Sequence, residues 1–134
     1  MESVCVYCGS ADNMDPVYLD AAYEVGAAIA NQGIRLIYGA GSTGLMGAVA
    51  DGALGTGGEV IGVIPHLFNT PTLAHSNLSH LEIVADIHIR KARMIELAEA
   101  FIALPGGFGT LEELFEVLTW AQIGLHQKPI GLLN

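Results

Sequence analysis

Positive charge is scarce in this chain: five lysines and arginines stand against fourteen aspartates and glutamates, a formal net charge of −9 over 134 residues. Arg35, Arg90, Lys91, Arg93 and Lys128 form no extended basic stripe. A nucleic-acid partner, which needs such a stripe to neutralise its phosphates, is therefore excluded, while a small phosphate ester is not. No apolar run reaches the roughly eighteen residues needed to cross a bilayer. The opening Met1-Glu2-Ser3 lacks the basic segment of an export signal. The expectation is a soluble, cytoplasmic protein with no membrane partner. Cysteine is limited to Cys5 and Cys8. Their C-x-x-C spacing falls in Val4-Cys5-Val6-Tyr7, which reads as a strand, whereas redox pairs open helices and zinc sites need further ligands. Free thiols in a reducing compartment are favoured, and no metal is implied.

What the chain has in quantity is apolar residues, 51% of the total, enough for one domain over residues 1–134 with a core of its own. Strand and helix signals alternate along it. Ser3 to Tyr7 reads as a strand, and Asp15-Pro16 opens a helix that runs to about Asn31 before Gly33. Ile34 to Tyr38 is a second strand, the loop Gly39 to Gly44 leads into a helix Leu45 to Leu54, and Glu59 to Ile64 is a third strand. After a polar loop with Pro65 and Pro71 come a short strand Leu81 to Val84, a helix from about Asp86 to Glu99, and an apolar strand from Ala100 to Leu104. A last helix runs to about Ile123, and Pro129 to Leu133 reads as one more strand. Alternating βα units predict an α/β fold, a Rossmann-like three-layer sandwich with a parallel sheet. No internal repeat, low-complexity tract or linker interrupts it.

In such sheets ligands bind beyond the carboxyl ends of the strands. Three loops leave those ends here: Cys8-Gly9-Ser10, Gly39 to Gly44, and Pro105 to Gly109. The last is the most informative. In Pro105-Gly-Gly-Phe-Gly-Thr-Leu-Glu-Glu113 a strand gives way to glycines and then to a helix whose Thr110-x-x-Glu113 has capping-box spacing. Gly106, Gly107 and Gly109 allow close approach to backbone N–H groups, and the helix dipole favours an anion, most simply a phosphate. Arg35 and Lys128 precede strands and so lie at the opposite edge, leaving Arg90, Lys91 and Arg93 to meet it.

Gly39, Gly41 and Gly44 have G-x-G-x-x-G spacing. A dinucleotide fingerprint would follow the first strand and be answered by an acidic residue ending a strand about twenty positions on. Here the glycines follow the second strand and Glu59 begins one, so a mononucleotide is favoured over NAD. No lysine follows either loop, which excludes a Walker A site. Glu113 has two compatible readings from spacing, helix cap and catalytic carboxylate. Glu112 and Glu116 read as a solvated face, Leu114, Val117, Leu118 and Ala121 as the buried stripe, and Trp120 as core or interface.

The motif P-G-G-x-G-T-x-x-E, preceded by Arg90-Lys91-x-x-Met94, resembles that of the Lonely Guy (LOG) proteins. Cys8-Gly9-Ser10, Gly41 to Gly47, Gly62 to Pro65 and Thr119 to His126 resemble further family landmarks in family order, so the likeness covers essentially the whole chain. The resemblance implies a hydrolase of AMP-nucleosidase type. It would cleave the N-glycosidic bond of cytokinin riboside 5′-monophosphates, releasing free base and ribose 5-phosphate without a cofactor. It implies catalytic roles for Arg90 and Glu113. Implied substrate contacts are Ser10, Gly41, Ser42, Gly44, Thr72, Lys91 and Met94, followed by Gly106, Gly107, Phe108, Gly109, Thr110, Leu111, Glu112 and Thr119. It also implies a homodimer, with the helices bearing Arg90 or Trp120 at the interface, and a helical end that this chain lacks after Asn134.

The chain departs from the family pattern at Ala40, where glycine is usual, at Ile89, where a polar residue is common, and at Thr72, where many members carry a glutamate. Two other classes stay open. A non-catalytic nucleotide-binding or carrier protein needs the glycine loops but not Glu113. A pyridoxal-phosphate decarboxylase needs a Schiff-base lysine, and only Lys91 and Lys128 exist.

Overall fold

A computed structural model describes residues 1–133. Six strands form one sheet in the order β4-β3-β2-β1-β5-β6, every neighbouring pair parallel. In chain order the elements are β1 (Ser3–Tyr7), α1 (Pro16–Asn31), β2 (Arg35–Tyr38), α2 (Gly44–Gly55), β3 (Val60–Pro65), a 3₁₀ turn (His66–Phe68), β4 (His80–Val84), α3 (Ile87–Leu97), β5 (Ala100–Ala103), α4 (Phe108–Gln122) and β6 (Ile130–Leu132). The expected alternation and parallel sheet are both present. Asn134, the last residue of the chain, lies outside the described residues.

Strand alternation builds the two outer layers. Val4 and Val6 of β1, with Leu36, Tyr38 and Val60, turn to one face and pack against Ala22 and Ile29 of α1 and Leu45, Val49 and Ala53 of α2. Cys5 and Tyr7, with Ile37, Ile61, Val63 and Phe101, turn to the other and meet Met94 and Ile95 of α3 and Val117 of α4. The period of two in a strand thus sends one apolar set to each helical layer. Helices α1 and α2 cross closely because Gly26 lies against the Val49 carbonyl and Gly52 against that of Tyr23, where a Cβ would overlap backbone.

Several local expectations change. Helix α1 starts as read, with the Asp15 carboxylate accepting from Val17 N–H at 3.0 Å and Pro16 in the first turn. Helix α3 stops at Leu97, because Ala98 is already extended and Glu99 N–H pairs with the Ser3 carbonyl at 3.1 Å. Helix α4 begins at Phe108 with Gly107 as its cap, which puts Thr110 inside the first turn. The capping box of Thr110 and Glu113 is therefore not formed; Thr110 is buried against Gly106 instead. Of the stripe expected on α4, Leu114 and Val117 are buried, whereas Leu118 is exposed.

Candidate active site

The strand order reverses between β1 and β5, neighbouring strands from which the chain departs in opposite directions. Their loops meet there. Gly9 N–H donates to the Pro105 carbonyl at 3.1 Å, and a Cβ on Gly9 would stand 3.1 Å from Gly106 Cα. A cleft of about 830 Å³ opens at this point, within the range of ligand sites. Its polar lining includes Ser10, Arg90, Lys91, Thr110, Glu112 and Glu113, with Gly106 to Gly109 along one side. Met14, Leu45, Met46, Phe68 and Ile87 supply an apolar wall. An adjoining compartment of about 220 Å³ lies over the second glycine loop, lined by Gly39, Gly41, Thr43 and Leu73 and sharing Ser10, Met46, Phe68 and Arg90 with the first.

The two glycine loops differ in what their helices still offer an anion. At α2 the approach is crowded: Met46 N–H donates to the Gly9 carbonyl at 3.0 Å, Ser42 N–H, just ahead of the helix, donates to that of Leu73 at 3.0 Å, and Gly44 lies against the Ser10 and Ala11 backbone. Thr43 Oγ1 donates to the Ser10 carbonyl at 2.6 Å. At α4 the cap residue Gly107 provides no side-chain acceptor, and a Cβ at Gly107 or Gly109 would meet nothing within 4 Å. The first-turn N–H groups of a fifteen-residue helix thus face an open approach at the positive end of its dipole. Of the two helix N-termini, that of α4 is the one left open to an anion.

Glu113 reaches the cleft from the second turn of α4. The residue keeps some solvent exposure, yet its carboxyl sits deep enough for burial to push the pKa up to about 7, against a smaller downward pull from Arg90. Arg90 is held from behind: Nε donates to the Val63 carbonyl at 2.9 Å, and Nη2 donates to that of Gly39. Burial lowers its pKa and the Glu113 carboxylate opposes that. Gly39 has no side chain to obstruct the guanidinium. Lys91, 6% exposed, is gripped by Glu116 at 2.9 Å and Glu112 at 3.1 Å, and the Glu116 hydrogen bond is the largest of the influences that raise its pKa. Glu112 and Glu116 are accordingly not a free solvated face. Cys8 borders the cleft, and burial raises its thiol well above the usual range, so it carries no thiolate there.

The structure brings Ser10, Arg90, Lys91, Gly106, Gly107, Phe108, Gly109, Thr110, Glu112 and Glu113 to the main cleft and Gly41 to the smaller compartment. It does not bring the rest. Met94 is a core residue beneath the sheet. Thr119 and Leu111 are exposed on α4 away from the cleft lining. Ser42 and Thr72 bond to each other, Oγ to carbonyl at 3.3 Å, outside both compartments. Gly44, at φ +60°, packs against Ser10 and Ala11 backbone and serves the turn. Arg93 is not free for an anion, since it pairs with Glu82 and Glu96. The sequence reading missed Met14, Leu45, Met46, Phe68 and Ile87. Met14, Leu45, Met46 and Ile87 sit just after loops at strand carboxyl ends, so the topology held a signal for them. The usual glycine at position 40 also has its reason: Ala40 is buried with φ +65°, a left-handed conformation that costs an L residue.

An open parallel sheet whose carboxyl-end loops enclose a glycine-lined cleft at the switch point defines a Rossmann-like α/β protein. This one belongs to the LOG family. The family model described as "Possible lysine decarboxylase" matches residues 46–134. The chain is 50% identical over 130 residues to a probable cytokinin riboside 5′-monophosphate phosphoribohydrolase, LOGL3, of Oryza sativa subsp. japonica, covering 97% of this chain and 62% of that protein. It is 52% identical over 134 residues to the cytokinin riboside 5′-monophosphate phosphoribohydrolase of Rhodococcoides fascians, covering 99% of this chain and 68% of that one. The chain thus spans somewhat under two thirds of the length of the rice relative. Among solved structures, the molybdenum cofactor binding protein of Rippkaea orientalis matches with a TM-score of 0.81 and 26% identity, over 99% of this chain and 76% of that one.

Proposed function

We propose that this protein hydrolyses the N-glycosidic bond of nucleoside 5′-monophosphates, cytokinin ribotides included. The observation that carries the proposal is the pairing of the open α4 N-terminus with Glu113, a carboxyl at the same cleft whose pKa of about 7 lets it exist in both protonation states near neutrality. The two relatives named above, of which this chain is half identical, carry that activity in their names.

In this mechanism the 5′-phosphate sits on the N–H groups following Gly106, and the ribose lies toward Glu113. The bond from C1′ to the base nitrogen breaks as positive charge builds on the sugar, which the ionised carboxylate of Glu113 opposes electrostatically. A water oxygen bonds to C1′ while Glu113 accepts one of its protons; solvent supplies a proton to the departing base nitrogen, and Glu113 later returns its own to solvent. Free base and ribose 5-phosphate result. Arg90, occupied by two carbonyls, offsets the charge of Glu113 through space rather than gripping phosphate. The apolar wall of Met14, Leu45, Met46, Phe68 and Ile87 suits a purine face with an apolar substituent. Residues 1–134 act as one nucleotide-binding domain in this reading.

A homodimer is part of the proposal. Phe108, Leu111, Phe115 and Leu118 recur at helical spacing along α4 and are exposed, Phe108 at 92% and Phe115 at 62%. Exposed Ile87 and Ile89 extend the apolar area from α3. A second copy covering this stripe would adjoin the cleft. A cytoplasmic setting is supported by the unpaired, buried thiols of Cys5 and Cys8. No helix among the described residues is long and apolar enough to cross a membrane.

Pyridoxal chemistry fits the site poorly. A Schiff base needs a neutral amine, whereas Lys91 is fixed as an ammonium between two carboxylates and Lys128 donates to the Ile95 carbonyl at 2.7 Å. A carrier role is the second reading, favoured by the likeness to a cofactor-binding protein of the same fold. Incubation with AMP and with isopentenyladenosine 5′-monophosphate, followed by chromatography, separates them. Released base is expected; tight binding with no release would favour the carrier.

A further inference from the structure

The segment between β3 and β4 crosses the second glycine loop as a strap. None of residues 66–79 is fully buried, and although Leu78 at its far end packs against the core, little apolar burial holds the rest down. Polar anchors do that instead. Ser42 N–H donates to the Leu73 carbonyl at 3.0 Å, His75 N–H donates to the Ala40 carbonyl at 2.9 Å, and Gly41 and Ala74 form an isolated bridge. One side chain fixes the strap to a helix. The His75 ring, with its side chain only 8% exposed, places Nε2 at 2.7 Å from Asp51 Oδ1 on α2. Its Nδ1 accepts from Asn77 N–H at 3.1 Å, which puts the ring proton on Nε2 and makes that nitrogen the donor to Asp51.

Neither His75 nor Asp51 lines the cleft or its side compartment. What the strap brings to the compartment is Leu73, along with Phe68 from its opening turn. We infer that His75 and Asp51 form a latch that holds the strap against the glycine loop and so sets ligand affinity, a positioning role outside the chemistry. The kinetic part of this inference rests on the hydrolase reading; the structural part does not.

The test combines amide hydrogen exchange with steady-state kinetics on AMP for the wild type, His75→Ala, Asp51→Ala and Asp51→Asn. Asp51 is exposed on its helix, so its variants report on the latch even where His75→Ala folds poorly. Both alanine variants should speed exchange of the amides at positions 42 and 75 by about tenfold or more, because both amides donate across the strap. They should raise KM for AMP about tenfold and leave kcat within roughly threefold of wild type. Asp51→Asn keeps an acceptor oxygen and should stay close to wild type in both. Wild-type exchange at positions 42 and 75 in Asp51→Ala would overturn the latch, as would a fall in kcat with KM unchanged. If the wild type releases no base from AMP, the hydrolase reading fails, and the exchange data still decide the latch.

Discussion

Arg90 donates Nε–H to the Val63 carbonyl at 2.9 Å, tying α3 to the end of β3 from within the cleft. Its other donor bond goes to Gly39, so one guanidinium fastens two strand ends to the helix. Lysine keeps the charge but not the planar fork. Arg90→Lys should therefore lower stability by about 2 kcal/mol, the scale of a charged hydrogen bond lost to a buried acceptor. It should also lower kcat/KM about tenfold or more, because a lysine tied to neither carbonyl no longer fixes its charge beside Glu113. Thermal melts and initial rates check both, and wild-type values in the two together would leave Arg90 without a directional role.

Glu113 makes stability depend on pH in a stated direction. Its pKa rises from about 4.5 to about 7, so the folded state holds this proton more tightly than the unfolded chain. That contribution is complete below the unfolded value and is lost as pH climbs through the folded one. Glu113→Gln removes the cost of a buried charge. The variant should melt above wild type at pH 8 and level with it at pH 4; equal melts at pH 8 would mean that the carboxyl is not strained by burial.

The same titration should appear in the kinetics. If ionised Glu113 stabilises the ribosyl cation, kcat/KM on AMP rises with pH through about 7 and then levels. This lies above the titration of the nucleotide phosphate, near about 6. A profile governed only by the lower value would remove Glu113 from the rate-limiting chemistry.

Gly106 and Gly109 should part company. A Cβ on Gly106 would lie 2.6 Å from Thr110 Cβ and 2.9 Å from Gly9 N, whereas one on Gly109 meets nothing within 4 Å. Gly106→Ala should cost about 1–3 kcal/mol by overpacking. Gly109→Ala should fold as well as wild type or slightly better, as alanine replaces glycine in a helix. Its binding of AMP should nonetheless weaken, because the methyl stands where the phosphate approaches. Urea titrations and AMP affinity measured on the same preparations distinguish the two effects.

The layers of this fold were legible in the chain because apolar runs of four to six residues, such as Val60–Pro65, are bounded by turn residues, and because Asp15-Pro16 and Gly33 mark their helix ends. The glycine loop at 105–109 and Glu113 were legible for the same local reason. Side-chain pairings between elements were not. Nothing in spacing says that Lys91 meets Glu112 and Glu116, that Arg93 meets Glu82, or that Met94 turns into the core while Arg90 turns to the cleft. Those choices depend on how α3 is rotated against α4 and β4, a tertiary fact. The capping box at Thr110 failed because Gly107 starts the helix earlier, leaving Thr110 to pack on Gly106.

The central claim is a phosphate-anchored glycosidic cleavage that uses Glu113. Its most direct measurement is adenine release from AMP and from adenosine, by wild type and by Glu113→Gln. The account predicts that wild type favours AMP by about 10²-fold or more in kcat/KM, since the anchored phosphate positions the sugar. Glu113→Gln should still bind AMP but release adenine roughly 10²-fold more slowly. Equal rates on AMP and adenosine, or undiminished release by Glu113→Gln, would contradict it.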